Sequence, residues 1–232
     1  METERVARAL AEASSAMRGS PDIAGALTGL LASCQAGLHV DAGGILLASG
    51  GRLELMVASS HLASELEIHQ LHADEGPCIE AYETSAPVQA SSAEVLRERW
   101  PRFGETMVTA GFESVHAAPL GMQGQTFGAI GLFRRQDSEF TSEEEVISQA
   151  FADIASMLVV HLAEITPEQV SDRVQGALAA RVLVEQAKGV LADTHGLSMA
   201  DAYDLLIQSA HDRHKPLTAW ASEVIHDARN AR

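Results

Sequence analysis

Arg181, Glu185 and Lys188 stand four and three residues apart. On a helix this spacing brings them to one side, with Arg181 and Lys188 within about 20° of each other. Two cations so placed can grip successive phosphates along a nucleic-acid strand. With Glu185 between them they also make an ordinary surface salt-bridge run, and spacing alone leaves both readings open. A second basic cluster, Arg213, His214 and Lys215, precedes a helix start at Pro216 whose first turn carries Thr218 and Ser222. Cations beside the free N–H groups of a helix start form a phosphate cradle; a plain polar turn is the competing reading. Of the aromatics nearby, Trp220 shares the register of core positions. Tyr203 is the more exposed by register and the better platform for an unstacked base.

Other reactive side chains organise less well. His69 and His72 have the i, i+3 spacing of a metal pair and His61 is close, but no further ligand is assured, so solvent-facing polar residues are expected. His116 alternates within a strand and reads as a structural histidine, with a haem ligand as the competing reading. Cys78 follows Pro77 with no adjacent base or cation, which describes a buried, inert thiol, with chromophore attachment or oxidation sensing as the competing readings. There is no nucleophile elbow, phosphate loop or phosphoacceptor aspartate. The expectation is a protein without a catalytic site, metal site or required cofactor.

The elements that must hold these residues can be read in order. Val6, Ala9, Leu10, Ala13 and Met17 mark a first helix, and Pro21 opens a second with Ile23, Leu27, Leu30 and Leu31 on one face. Strands at Val40–Ala48 and Leu53–Ser59 meet through Gly50-Gly51. Short helices surround the Gly76-Pro77 break, a strand spans Pro87–Ala90, and a helix over Ala93–Ala110 is interrupted at Pro101. A second hairpin joins Ser114–Leu120 to Phe127–Arg134. Together these make an α+β domain around one central antiparallel sheet. Thr141 and Glu144 form a capping box for a helix striped by Val146, Ile147, Ala150, Ile154, Met157 and Leu158. Thr166-Pro167 signals another helix start and sets the domain boundary. The helices either side are expected to stack end to end as a dimerising stalk. Beyond lie three helices, the first closed by Gly196, the second begun at Ser198 and the third at Pro216, forming a small all-α bundle. Gly189, inside the first, costs about 1 kcal/mol relative to alanine and is expected to permit close helix packing, with close approach by a ligand as the competing reading. The division is therefore an N-terminal helix over 1–19, a sheet domain over 20–165 and a bundle over 166–232.

The charge of −16 is uneven. Of 16 basic and 32 acidic residues, 9 and 23 fall in residues 1–165, leaving 7 and 9 for residues 166–232, where both lysines, Lys188 and Lys215, reside. This total argues against bulk attraction to phosphate and leaves room for a local cationic face on the near-neutral C-terminal module. No apolar run reaches the roughly 20 residues that cross a bilayer. The start Met1, Glu2, Thr3, Glu4 is acidic, unlike a signal peptide, and two cysteines are too few for a disulfide scaffold. A cytoplasmic protein with no membrane partner is expected.

Arg181, Val184, Gln186-Ala187-Lys188-Gly189-Val190-Leu191, Ala202-Tyr203, Leu205-Leu206, Leu217, Ala221 and Val224-Ile225 together resemble an ANTAR domain, a three-helix RNA-binding module of transcription antitermination. Departures are Ala180 for a frequent serine, Ala192 for methionine, Ile207 for arginine, and His214-Lys215-Pro216 for an asparagine-arginine-lysine run. Upstream, Glu75-Gly76-Pro77-Cys78, Trp100-Pro101, Gly111-Phe112-Glu113-Ser114, Pro119-Leu120 and Gly128-Ala129-Ile130-Gly131-Leu132 resemble a GAF sensor domain. The order is that of the GAF–ANTAR regulators of actinobacteria. The resemblance implies a homodimer that joins through GAF and linker helices and binds paired hairpins of a nascent leader RNA. Arg181, Lys188, Arg213, Lys215 and Thr218 would be its RNA contacts. A small-molecule GAF ligand of unknown identity is compatible with it. The rival is a GAF dimer whose bundle docks on a partner protein, which the missing cations at Ile207 and Pro216 favour.

Overall fold

The computed structural model describes residues 2–15, 22–160 and 167–230. Met17, Pro21 and Thr166, to which the sequence gives a core or helix-start role, lie outside them. Helix α1 (Glu2–Ser15) precedes α2 (Ile23–Leu38). Asp22 caps α2, accepting from the Gly25 N–H at 3.2 Å. Strands β1 (Ala42–Ser49) and β2 (Arg52–Ala58) form a hairpin through Gly50 and Gly51, both at positive φ, 59° and 78°. That pair of conformations matches the right-handed strand twist and is open to glycine at little cost. Next come α3 (His61–Ala73), capped by Ser60, then α4 (Pro77–Thr84) and the short β3 (Val88–Ala90). Helices α5 (Ala93–Arg99) and α6 (Pro101–Thr109) are separated at Trp100, since Pro101 can begin a helix but cannot continue one. Strands β4 (Ser114–Met122) and β5 (Gln125–Arg134) complete the sheet.

The five strands lie in the order β2-β1-β5-β4-β3, all neighbours antiparallel. Each face of the sheet carries its own core. One is built with α3 to α6 around Phe103, Phe112, Phe133 and Trp100. The other is built with α2 and α7 (Ser142–Val160) around Leu27, Leu30, Ile45 and Phe151. The capping box at α7 forms as expected: the Thr141 N–H donates to Glu144 Oε2 at 2.8 Å, and the Glu144 N–H to Thr141 Oγ1 at 3.3 Å. Val146 departs from expectation. It is 70 % exposed, because α7 turns Phe151, Ala155 and Val159 to the sheet instead.

The bundle comprises α8 (Pro167–His195), α9 (Met199–Asp212) and α10 (Leu217–Asn230). Gly196, at φ 64°, ends α8, and the Leu197 N–H returns to the Ala192 carbonyl at 3.0 Å. This is the Schellman closure that glycine makes cheap. The end of α9 repeats it with His214 at φ 52° and the Lys215 N–H on the Ala210 carbonyl at 3.0 Å. The end-to-end stalk is not formed. Helix α8 packs against α2, α7, β1 and β2, so the second core runs without a break from the sheet through Ala177, Val184 and Ala187 into the bundle. Apolar burial outweighs the continuation of a lone stripe.

An L-residue other than asparagine in the left-handed position carries a cost that asparagine or glycine reduces. His214→Asn is expected to raise unfolding stability by about 0.5–1 kcal/mol; chemical denaturation of the two proteins checks it.

Candidate nucleic-acid interface

The five RNA-contact residues named from sequence fall into two groups. Lys188 and Arg181 share one face of α8, as their spacing requires, and that face is turned to the sheet domain. Both line a closed seam with Thr28 of α2, Leu55–Ala58 of β2, and Ser60, His61 and Ser64 at the start of α3. The seam encloses about 20 Å³, enough for roughly one water. Lys188 is 3 % exposed. Its Nζ sits 2.6 Å from Glu185 Oε2 and 5.6 Å from the centre of the Tyr203 ring. The salt-bridge run read from the sequence therefore exists at Glu185 and Lys188, but its lysine end is buried while Glu185 reaches solvent.

Tyr203 corrects the expectation of an exposed stacking platform. It is 7 % exposed, and its hydroxyl donates to the Ala58 carbonyl of β2 at 2.9 Å. Burial, then the Glu185 carboxylate, pushes its phenol up to about 12. Thr218, at the start of α10, donates its hydroxyl to Asp22 Oδ1 at 3.0 Å, and the Leu217 N–H donates to Asp22 Oδ2. One carboxylate thus caps α2 and α10 together.

Arg213 and Lys215 form the exposed group. Their cationic heads lie 4.4 and 5.8 Å from the Trp220 ring centre, and Lys215 Nζ pairs with Glu223 at 2.5 Å. Trp220 is half-buried, with its Nε1 enclosed and unpartnered among the described residues. It walls a groove of about 620 Å³ with His195, Leu205, Arg213 and Asp227. Leu205 is 36 % exposed on that groove. Gly189 departs from expectation too: a methyl group there would meet nothing within 4 Å, so packing does not require it.

On the opposite face of the sheet, the core holds a buried polar cluster. Glu67 of α3 is wholly buried, accepts from Gln70 Nε2, and lies 4.0 Å from Cys78 Sγ. The Cys78 N–H donates to Gln70 Oε1 at 3.1 Å. Gly44 and Gly131 are glycine because a methyl on either would come within 2.5 or 2.8 Å of Glu67 Oε1. Burial raises the Glu67 carboxyl to about 8, despite the lowering hydrogen bonds from Gln70 and Cys78. Burial, then the charge of Glu67, also pushes the Cys78 thiol up, which matches the inert thiol expected. His116 packs on Phe140 across the sheet, and neither ring nitrogen has a partner among the described residues. Burial first and Arg134 second lower it to about 4, so it is a neutral core histidine. His69 bonds Thr106 at 2.9 Å, His72 is exposed, and no group that could hold a metal occurs among the described residues.

Sequence reading missed Asp22 and Glu67. The first announced itself only as a polar residue before an apolar helix. The second was signalled indirectly, by two glycines inside strands that are otherwise continuously apolar.

The chain is thus an antiparallel sheet between helical layers, with a buried polar cluster on one side and a helical bundle packed on the other. The GAF domain family matches residues 22–159 and the ANTAR domain family residues 172–225. The chain belongs to the GAF domain family and carries an ANTAR domain behind it, the layout of a sensor domain regulating an RNA-binding domain. No curated protein matches it in sequence. Among solved structures, the GAF domain of a phosphoenolpyruvate-protein phosphotransferase from Coxiella burnetii is 19 % identical, with a TM-score of 0.55 over 68 % of this chain and 94 % of that one. The corresponding Acinetobacter domain is 16 % identical, with a TM-score of 0.53 over 72 % and 98 %. Free methionine-R-sulfoxide reductase from Neisseria meningitidis, in complex with its substrate, is 13 % identical, with a TM-score of 0.51 over 74 % and 91 %. These likenesses establish the fold. Among the described residues no helix is long and apolar enough to cross a membrane.

A carboxyl raised from 4.5 to about 8 holds its proton in the fold after the unfolded chain has released it. Its stabilising contribution is therefore complete below about 4.5 and lost as pH rises through about 8. In Glu67→Gln this slope should vanish, so the melting temperature of the variant relative to wild type should climb steadily from pH 5 to 8.5. His116 titrates equally in both proteins and cancels. Parallel melting profiles would show that Glu67 ionises freely.

Proposed function

We propose that the chain is an RNA-binding transcription antitermination regulator, acting in the cytoplasm as a homodimer on paired hairpins of a nascent leader RNA. The observation that carries this reading is the ANTAR match over residues 172–225, with Arg181 and Lys188 on a common face of α8. Arg213 and Lys215 supply a second, solvent-facing cationic patch beside Trp220, suited to phosphate and an unstacked base. Thr218 lies in the first turn of α10, where a backbone N–H and a hydroxyl can meet a phosphate once Asp22 withdraws. The open space at Gly189 leaves room for close backbone approach. Since the total charge opposes RNA, recognition rests on shape and the spacing of two bundles more than on bulk attraction.

In this reading the GAF domain is a sensor without catalysis. Its two thiols, Cys34 and Cys78, are both buried and belong to different cores on opposite faces of the sheet, which suits packing better than thiol redox chemistry. The second reading, a bundle that docks on a partner protein, is favoured by Val182 and Leu205, exposed at 54 % and 36 %. Co-purification of a stoichiometric protein without nucleic acid would support it.

Gel shifts with a synthetic RNA of two hairpins test the first reading. Arg213→Ala with Lys215→Ala should weaken binding about tenfold and flatten the salt dependence by about 0.7 in log–log slope for each lost phosphate contact. Arg181→Ala with Lys188→Ala should also weaken it. No shift by wild type at low salt, or no change in either pair, sinks the reading. Gly189→Ala should gain about 1 kcal/mol in stability from helix propensity while losing RNA affinity, separating the two roles of that position in one protein.

A further inference from the structure

Lysine is among the residues least often buried, and a cation enclosed with one carboxylate is a poor substitute for apolar packing. Lys188 nevertheless lies in the seam between the GAF sheet and the bundle, 4 % of its side chain exposed, among residues that are mostly apolar or small. Helix α8 needs no cation there to seal against Leu55 and Val57; leucine or methionine would do it better. A charge kept where the closed arrangement gains little from it is explained by an arrangement in which it is exposed. Beside the apolar core that runs from the sheet into the bundle, a few polar ties set how the two halves close. Tyr203 donates to the Ala58 carbonyl, and Asp22 receives Leu217 and Thr218. Each joins a residue of the bundle to a residue of the GAF domain or its first helix cap. These ties are made only in the closed arrangement, so loosening them shifts the balance toward the open one.

We propose that the closed chain is the RNA-excluded state: the GAF domain and RNA compete for the Lys188 face of α8, and release of the Asp22 and Tyr203 contacts is the regulated step. This rests on the RNA-binding reading above. Arg213 and Lys215 stay outside the seam, so RNA can be met weakly before opening and held tightly after it. A signal acts by altering the start of α2 or the end of β2, the two places where the ties are anchored. Apparent affinity then scales with the fraction of open molecules.

The chain has two lysines, one inside the seam and one outside, which gives a direct test on the full-length protein. An amine-reactive ester should acylate Lys215, 41 % of whose side chain is exposed, at least tenfold faster than Lys188, as read by mass spectrometry. Asp22→Asn with Tyr203→Phe keeps the α2 cap oxygen and the aromatic ring while weakening both ties. It should speed Lys188 acylation about tenfold and tighten binding to the two-hairpin RNA by a similar factor. Equal acylation of the two lysines in wild type, or a variant that neither opens nor binds more tightly, overturns the proposal. So does a variant that opens without any gain in affinity. If neither protein binds RNA while Lys188 acylation still rises, it is the RNA reading that fails and the competition with it, and the acylation rates identify that outcome.

Discussion

Asp22 closes the first turns of two helices that are far apart in the chain. One oxygen takes the Gly25 N–H at the start of α2 and the Thr218 hydroxyl, while the other takes the Leu217 N–H at the start of α10. Because α2 lies on the sheet and α10 belongs to the bundle, this carboxylate fixes where the bundle sits. The position of α8 over β1 and β2, the burial of Tyr203 and the enclosure of Lys188 all follow from that docking. A continuous apolar core supplies most of the cohesion. Direction and register come from the polar ties, which tolerate only one alignment of donors and acceptors.

The sensor half resolves a different tension. Its interior buries a carboxyl without a cation, and it does so by keeping the proton: Glu67 is held neutral, with Gln70 and Cys78 beside it. The two strand glycines that make room for Glu67 show that the cluster was accommodated by the sheet and not added to a finished core. Aromatic side chains share this core, including Phe112 tilted against Phe133 at 5.9 Å.

Local chemistry was legible in the sequence, and long-range contact was not. The glycine pair at 50–51, the Thr141–Glu144 box, the Pro101 break and the Gly196 stop each act through neighbours a few residues away, and each forms as read. The shared face of Arg181 and Lys188 was also local and correct. What covers that face depends on residues more than a hundred positions earlier, and no periodicity within α8 could reveal it. Tyr203 illustrates the limit: its register pointed away from the bundle core, correctly, but outward from the bundle proved to be inward to the chain. Val146 failed in the opposite sense, apolar and in phase yet left at the surface because the helix is rotated toward Phe151. Glu67 could not be placed because a carboxylate in a helix is ordinarily a solvent group.

The seam bears on how such proteins can be recombined. Domain shuffling treats a sensor and an effector as interchangeable cassettes joined at a linker, and residues 161–166 are where a cut would fall. Here the cassettes are not separable without loss. The walls around Lys188 and the acceptor for Tyr203 are contributed by β2 and α3 of the sensor half, and the cap for α10 by Asp22. A transplanted bundle would inherit the lysine and leave its enclosure behind. Inheritance of this pair must therefore run through the whole chain, with substitutions along β2 and α3 constrained jointly by two folds.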